Sequence, residues 1–168
     1  MDDAFTLGWQ YSAGLVTPED LPMAAANLLA EGIGGQSSAL CDLAGRPGRG
    51  ESSAELEELL WQAMAELGLP VPDDAFVERA ALHHAAARLT SGEITAAKAF
   101  GRLRWISGGD LTDAERRLLS VTDEPCCEGC FESWPSAVRQ EWERELKAAA
   151  LDVVSAPDHA PTASWYRD

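Results

Sequence analysis

Apolar side chains in this chain recur at three- and four-residue intervals between glycine and proline stops, and no segment alternates with a period of two. That spacing predicts helices and no strands. Phe5 and Trp9, four apart, stack on one side of a first helix over residues 3–12, and Gly14 ends it. In GLVTPEDLP, Asp20 suits an N-cap and Pro22 the first turn of a helix carrying Met23, Leu28 and Leu29 as core contacts, stopped by Gly32. SSALCDLAG predicts a short helix capped by Ser37 or Ser38, burying Leu40, Leu43 and Cys41.

The stretch GRPGRGE (45–51) is a loop, and without a preceding strand or a GKS/GKT ending it is no phosphate cradle. Ser52 and Glu55 have the spacing of a capping box before a stripe of Leu56, Leu59, Leu60, Met64 and Leu67, with Trp61 at its edge and Gly68 as terminator. Pro70 and Pro72 hold the next link extended. Asp73 or Asp74 caps a helix running to about Leu89; Ile94, Phe100, Leu103 and Ile106 mark another. Thr112 and Glu115 repeat the capping-box spacing. Ser133 is expected to cap a last long helix with Pro135 in its first turn. The fold expected is an all-α bundle of about seven or eight helices in a single domain, 1–155, followed by a loosely ordered tail, 156–168. GLVTPED (14–20) and GLPVPDD (68–74) share a pattern at a spacing of 54, and each precedes a helix, a glycine break and another helix. This hints at a weakly duplicated helix pair.

Charge changes this picture most. The chain carries a formal −15, unevenly spread: residues 1–75 hold 13 acidic and 2 basic side chains, whereas residues 76–120 hold 5 acidic and 7 basic. Such a surface repels phosphate backbones, so direct nucleic-acid binding is not expected, while a basic protein partner would be attracted and steered. Glu19, Asp20, Glu51, Glu55, Glu57, Glu58, Asp73 and Asp74 are the candidate partner-binding residues. Alternating glutamates such as 55, 57, 58 and 141, 143, 145 fall on different helix faces and do not form a tight acid–base pair. Arg102, Arg104, Arg116 and Arg117 are the basic concentration, expected to pair internally with the acidic N-terminal half. The start MDDAFTLGWQ has neither the basic nor the apolar part of a signal peptide, which points to a cytoplasmic protein. Among the six tryptophans, Trp61, Trp105, Trp134 and Trp142 lie beside apolar helix positions and read mostly as core, while Trp9 and Trp165 are expected to be partner anchors.

Candidate chemistry is confined to EPCCEGC (124–130). Cys127 and Cys130 have the C-x-x-C spacing that grips a zinc ion or closes a small disulfide, and Cys126 adds a third sulfur. A zinc site would need a fourth ligand, with Cys41, His83, His84 and a nearby carboxylate as the donors on offer; a second C-x-x-C or an H-x3–5-H element is missing. Glu124 and Glu128 disfavour thiolates there and argue against a reactive nucleophile. His83 and His84 are adjacent, so on a helix they point about 100° apart and cannot chelate one metal; one faces inward and the other outward. Reduced cysteines with no cofactor are the first expectation; zinc and a reversible disulfide are the alternatives, with an iron–sulfur cluster behind them. No triad spacing, nucleotide loop or haem motif is present, so no catalytic activity is expected. The reading is a non-catalytic binding module for a basic protein, of inhibitor, immunity, adaptor or nucleic-acid-mimic type; the alternative is a metal- or redox-responsive protein built on Cys126, Cys127 and Cys130.

Overall fold

A computed structural model describes residues 4–107, 111–123 and 133–156. The described residues form eight α-helices and no strand: α1 (Ala4–Ser12), α2 (Leu21–Ala30), α3 (Ser38–Ala44), α4 (Ser53–Glu66), α5 (Asp74–Thr90), α6 (Ala96–Leu103), α7 (Asp113–Thr122) and α8 (Ser136–Val154), with a 3₁₀ turn at Pro18–Asp20. The protein is therefore all-α, as the periodicity predicts. Four helix ends share one stop. After α1, α2, α4 and α5 the chain turns through a left-handed glycine (14, 32, 68 and 92), and the next residue's N–H bonds the carbonyl five positions back. The order helix, glycine stop, helix that follows each Pro-acid-Asp segment does occur twice, although α5 has 17 residues where α2 has 10.

By contact density the chain divides into two compact units, the first reaching Val77 and the second beginning at Glu78. In the first, α3 packs on α2 and α4, and α1 lies against α4. Leu21, Leu28, Leu40, Leu43, Leu56 and Leu60 fill its core, and Phe5 meets Phe76 edge-on at 5.0 Å. A carboxylate serves the fold here. Glu66, on the last turn of α4, accepts from Ser37 Oγ at 2.7 Å and from the Ala39 N–H at 3.1 Å at the start of α3. These bonds hold it at about 2, well under the usual carboxylate range. Ser37 Oγ in turn caps α3 by accepting from the Leu40 N–H at 3.0 Å. Gly48, at φ +73°, brings the 45–51 loop against the 3₁₀ turn; a Cβ there would stand 2.4 Å from the Glu19 carbonyl oxygen.

In the second unit α7 packs on α8, and α6 contacts both. Leu82, Leu89, Phe100, Leu103, Leu118 and Leu146 are its buried centre. Trp142 is buried among them, its indole N–H donating to the Val121 carbonyl at 2.9 Å while Phe100 and Trp134 meet its ring edge-on.

Several local expectations are corrected. The Ser52–Glu55 box does not form: Ser52 occupies the N-cap without a side-chain bond. The last helix starts after Pro135, not Ser133. Met23 is 67% exposed and Cys41 is also exposed, so neither is a core residue. Helix α2 reads LPMAAANLLA; with little polar character on any side, its sequence leaves the inward face undetermined.

Candidate docking surface

The outer face of α4 is built from residues that recur every three to four positions: Ala54, Glu57, Glu58, Trp61 and Gln62 line a shallow depression of about 590 Å³. Leu56, Leu60, Ala63 and Met64 point the other way, into the core, which fixes this face outward. Glu57 is held in place by two donors. The Tyr11 hydroxyl donates to one carboxylate oxygen and the Trp61 indole N–H to the other, each at 3.1 Å. The two rings meet edge-on at 5.9 Å. Partial burial and then the neighbouring Glu57 raise the Tyr11 pKa, so the phenol keeps its proton and continues to donate. Glu55 and Glu58 are exposed on the same helix, and neither has an ion pair among the described residues.

This arrangement places fixed negative charge beside an aromatic surface, and both attract a guanidinium or ammonium group.

The other acidic residues divide by role. Glu19 and Asp20 lie on the 3₁₀ turn and line a cleft of about 550 Å³ with Met23, but Arg46 and Arg49 line the same cleft, so its charge is mixed. Asp20 accepts from Thr17 Oγ1 at 2.7 Å, and Glu51 pairs with Arg46 at 3.2 Å. Asp73 caps α5 by accepting from the Phe76 N–H at 2.8 Å; Asp74 opens that helix and is exposed. Of the eight acidic residues proposed from sequence, only Glu57 and Glu58 line one outward surface with no basic residue in it; Glu55 is exposed on the same helix outside that lining. Sequence reasoning did not include Trp61 and Tyr11 in this site. The Glu57–Trp61 spacing of four was a readable signal, whereas Tyr11 lies 46 positions from Glu57 and gave none.

The second unit has a buried charge cluster of another kind. Glu115 on α7 is 1% exposed, and its Oε1 accepts from Arg79 Nε at 2.7 Å. His83 Nε2 lies 2.6 Å from the same oxygen, while Oε2 accepts from the Thr112 N–H at 2.7 Å. Burial pushes the carboxyl upward, but the bonds from Arg79, the Thr112 backbone and His83 outweigh it and hold Glu115 at about 2. Against an ionised carboxylate, His83 Nε2 carries the proton. His83 is buried and His84 half-buried, as the adjacency argument requires. Glu115 with its three donors acts as an internal brace between α5 and α7.

Arg116 and Arg117 pair with Asp113 and Asp152, within their own unit and not with the acidic N-terminal half. Trp9 is buried at 3% exposure and is no surface anchor, while Trp105 is 75% exposed and is no core residue. Cys126, Cys127, Cys130 and Trp165 lie outside the described residues, as does the tail from 157. Among the described residues no group of three or more His, Cys, Asp or Glu side chains is placed to hold a metal ion, and no helix is long and apolar enough to cross a membrane.

No family model, curated protein or solved structure matches the chain.

Proposed function

We propose that this chain is a non-catalytic, cytoplasmic binding protein that presents the outer face of α4 to a basic protein, as an inhibitor, immunity protein, adaptor or nucleic-acid mimic does. The observation that carries the reading is the α4 depression, where Glu57 is fixed by Tyr11 and Trp61 beside Glu58, with Glu55 exposed on the same helix and neither Glu55 nor Glu58 in an ion pair among the described residues. Ordering the carboxylate in advance reduces the entropy lost on binding, and the negative surroundings steer the encounter. A basic probe, nona-arginine, tests it by calorimetry. The E55Q/E57Q/E58Q variant is expected to bind about tenfold more weakly than the parent, corresponding to about 1.4 kcal/mol. E141Q/E143Q/E145Q on α8 removes the same three charges elsewhere and is expected to leave affinity within about twofold. Equal losses in the two variants would mean that net charge alone binds the peptide, and the α4 site would be abandoned.

A further inference from the structure

One stretch of the chain has the opposite sign. On α6, Lys98 and Arg102 are four positions apart, and Trp105 follows three later in the turn that continues the helix. Lys98 and Arg102 therefore share one side of the helix, and Trp105 follows in the turn at its C-terminal end. All are exposed, Trp105 to 75%, and neither Lys98 nor Arg102 has an ion pair among the described residues. The opposite side of α6, Ala96, Ala99, Phe100 and Leu103, is fully buried, so the helix already packs without the indole.

Trp105 is also held where it stands. The Arg104 guanidinium lies 4.8 Å from its ring centre and 5.4 Å from that of Phe100. The Arg104 N–H donates to the Phe100 carbonyl at 3.1 Å and the Ile106 N–H to that of Leu103 at 3.0 Å. Ser107 ties the turn to α5, its N–H and hydroxyl both donating to the Glu78 carboxylate at 3.2 Å. An exposed tryptophan on a fixed turn, flanked by cations, has the make-up of an interface anchor.

We propose that this stripe docks on the α4 face of a second copy of the chain, with Trp105 entering the depression beside Ala54 and Trp61 and with Lys98 and Arg102 meeting Glu55 and Glu58. The inference rests on the reading of that face as a seat for basic groups and names one occupant of it. The argument is complementarity: an exposed aromatic ring beside cations matches a hollow lined by Trp61, Glu57 and Glu58, with Glu55 exposed on the same helix, and each is open to solvent in the single chain. The contact is heterologous, stripe to hollow, so copies join head to tail into a ring or a growing row.

Sedimentation velocity on the full chain, up to roughly 200 µM, is the test. The expected result is a mean mass that rises with concentration, with W105A shifting the rise to about tenfold higher concentration. K98E/R102E alone and E55K/E58K alone are expected to remain single chains, and their equimolar mixture to associate, unless Trp105 is also replaced in both. A chain that stays single at every concentration and salt overturns self-docking, while binding of nona-arginine in the same buffer separately reports on the α4 seat. Self-association that survives W105A and both charge reversals overturns the assigned surface. Binding of oligothymidine that depends on Trp105, by a chain that stays single, overturns the proposal in favour of stacking on single-stranded nucleic acid.

Discussion

Replacing Glu115 with glutamine removes a charge that three donors are arranged to meet. The carboxyl is 1% exposed, and its folded pKa of about 2 stands against an ordinary value of 4.5. A difference of about two and a half units corresponds to about 3 kcal/mol of stabilisation by the ionised form. Removing one partner of a buried ion pair independently suggests about 3–5 kcal/mol. The amide also presents an N–H₂ group where either the Thr112 N–H or the Arg79 and His83 donors need an acceptor, so the substitution leaves at least one donor opposed. Because the folded pKa is depressed, the unfolded chain binds more protons between about 2 and 4.5, and stability rises with pH across that window. The contribution is complete above the unfolded value and is lost as pH falls towards the folded one. Urea melts at pH 7 and in steps to pH 2.5 are expected to show E115Q about 3 kcal/mol less stable than the parent at neutral pH, with the gap closing below pH 4.5. A loss below about 1 kcal/mol at pH 7, or a gap that stays constant with pH, would refute the account of the brace.

Other substitutions test particular bonds. Thr112→Ala removes a formed cap and is expected to cost about 1 kcal/mol in a urea melt, whereas Ser52→Ala, at a cap with no side-chain bond, is expected to stay within about 0.5 kcal/mol. Gly48→Ala combines a left-handed φ with a Cβ 2.4 Å from the Glu19 carbonyl oxygen; a loss of about 2–3 kcal/mol is expected, against little change for Gly35→Ala, where a Cβ meets nothing within 4 Å. Trp142→Phe loses the bond to Val121 and leaves a void, for about 2 kcal/mol by thermal or urea melt, while Trp105→Ala is expected to leave stability within about 0.5 kcal/mol.

The two Ser/Thr-x-x-Glu signatures show where sequence ends and tertiary structure begins. Both predict a capping box from four residues, and both sit at the start of a helix, yet only Thr112–Glu115 closes. In that case Oε1 of the glutamate is bound by Arg79 and His83 from α5, 36 and 32 positions away, so Oε2 lies beside the Thr112 N–H within a filled network. Glu55 has no such partners, remains in water, and gains little by folding back. The same limit applies to the tryptophans. Their helical neighbourhoods predict that Trp142 is buried, but Trp105 falls just past the end of α6, where the apolar periodicity no longer governs direction, and Trp9 is buried although it lies near the chain's start. Helices and their glycine stops are written in contiguous residues and were legible. The acidity of α4 was legible as composition, but the fixing of Glu57 by Tyr11 depends on α1 lying against α4. A carboxylate held by two donors in a hollow differs from one that is merely exposed because its direction is set before a partner arrives. That direction comes from the packing of α1 on α4, and composition alone does not carry it.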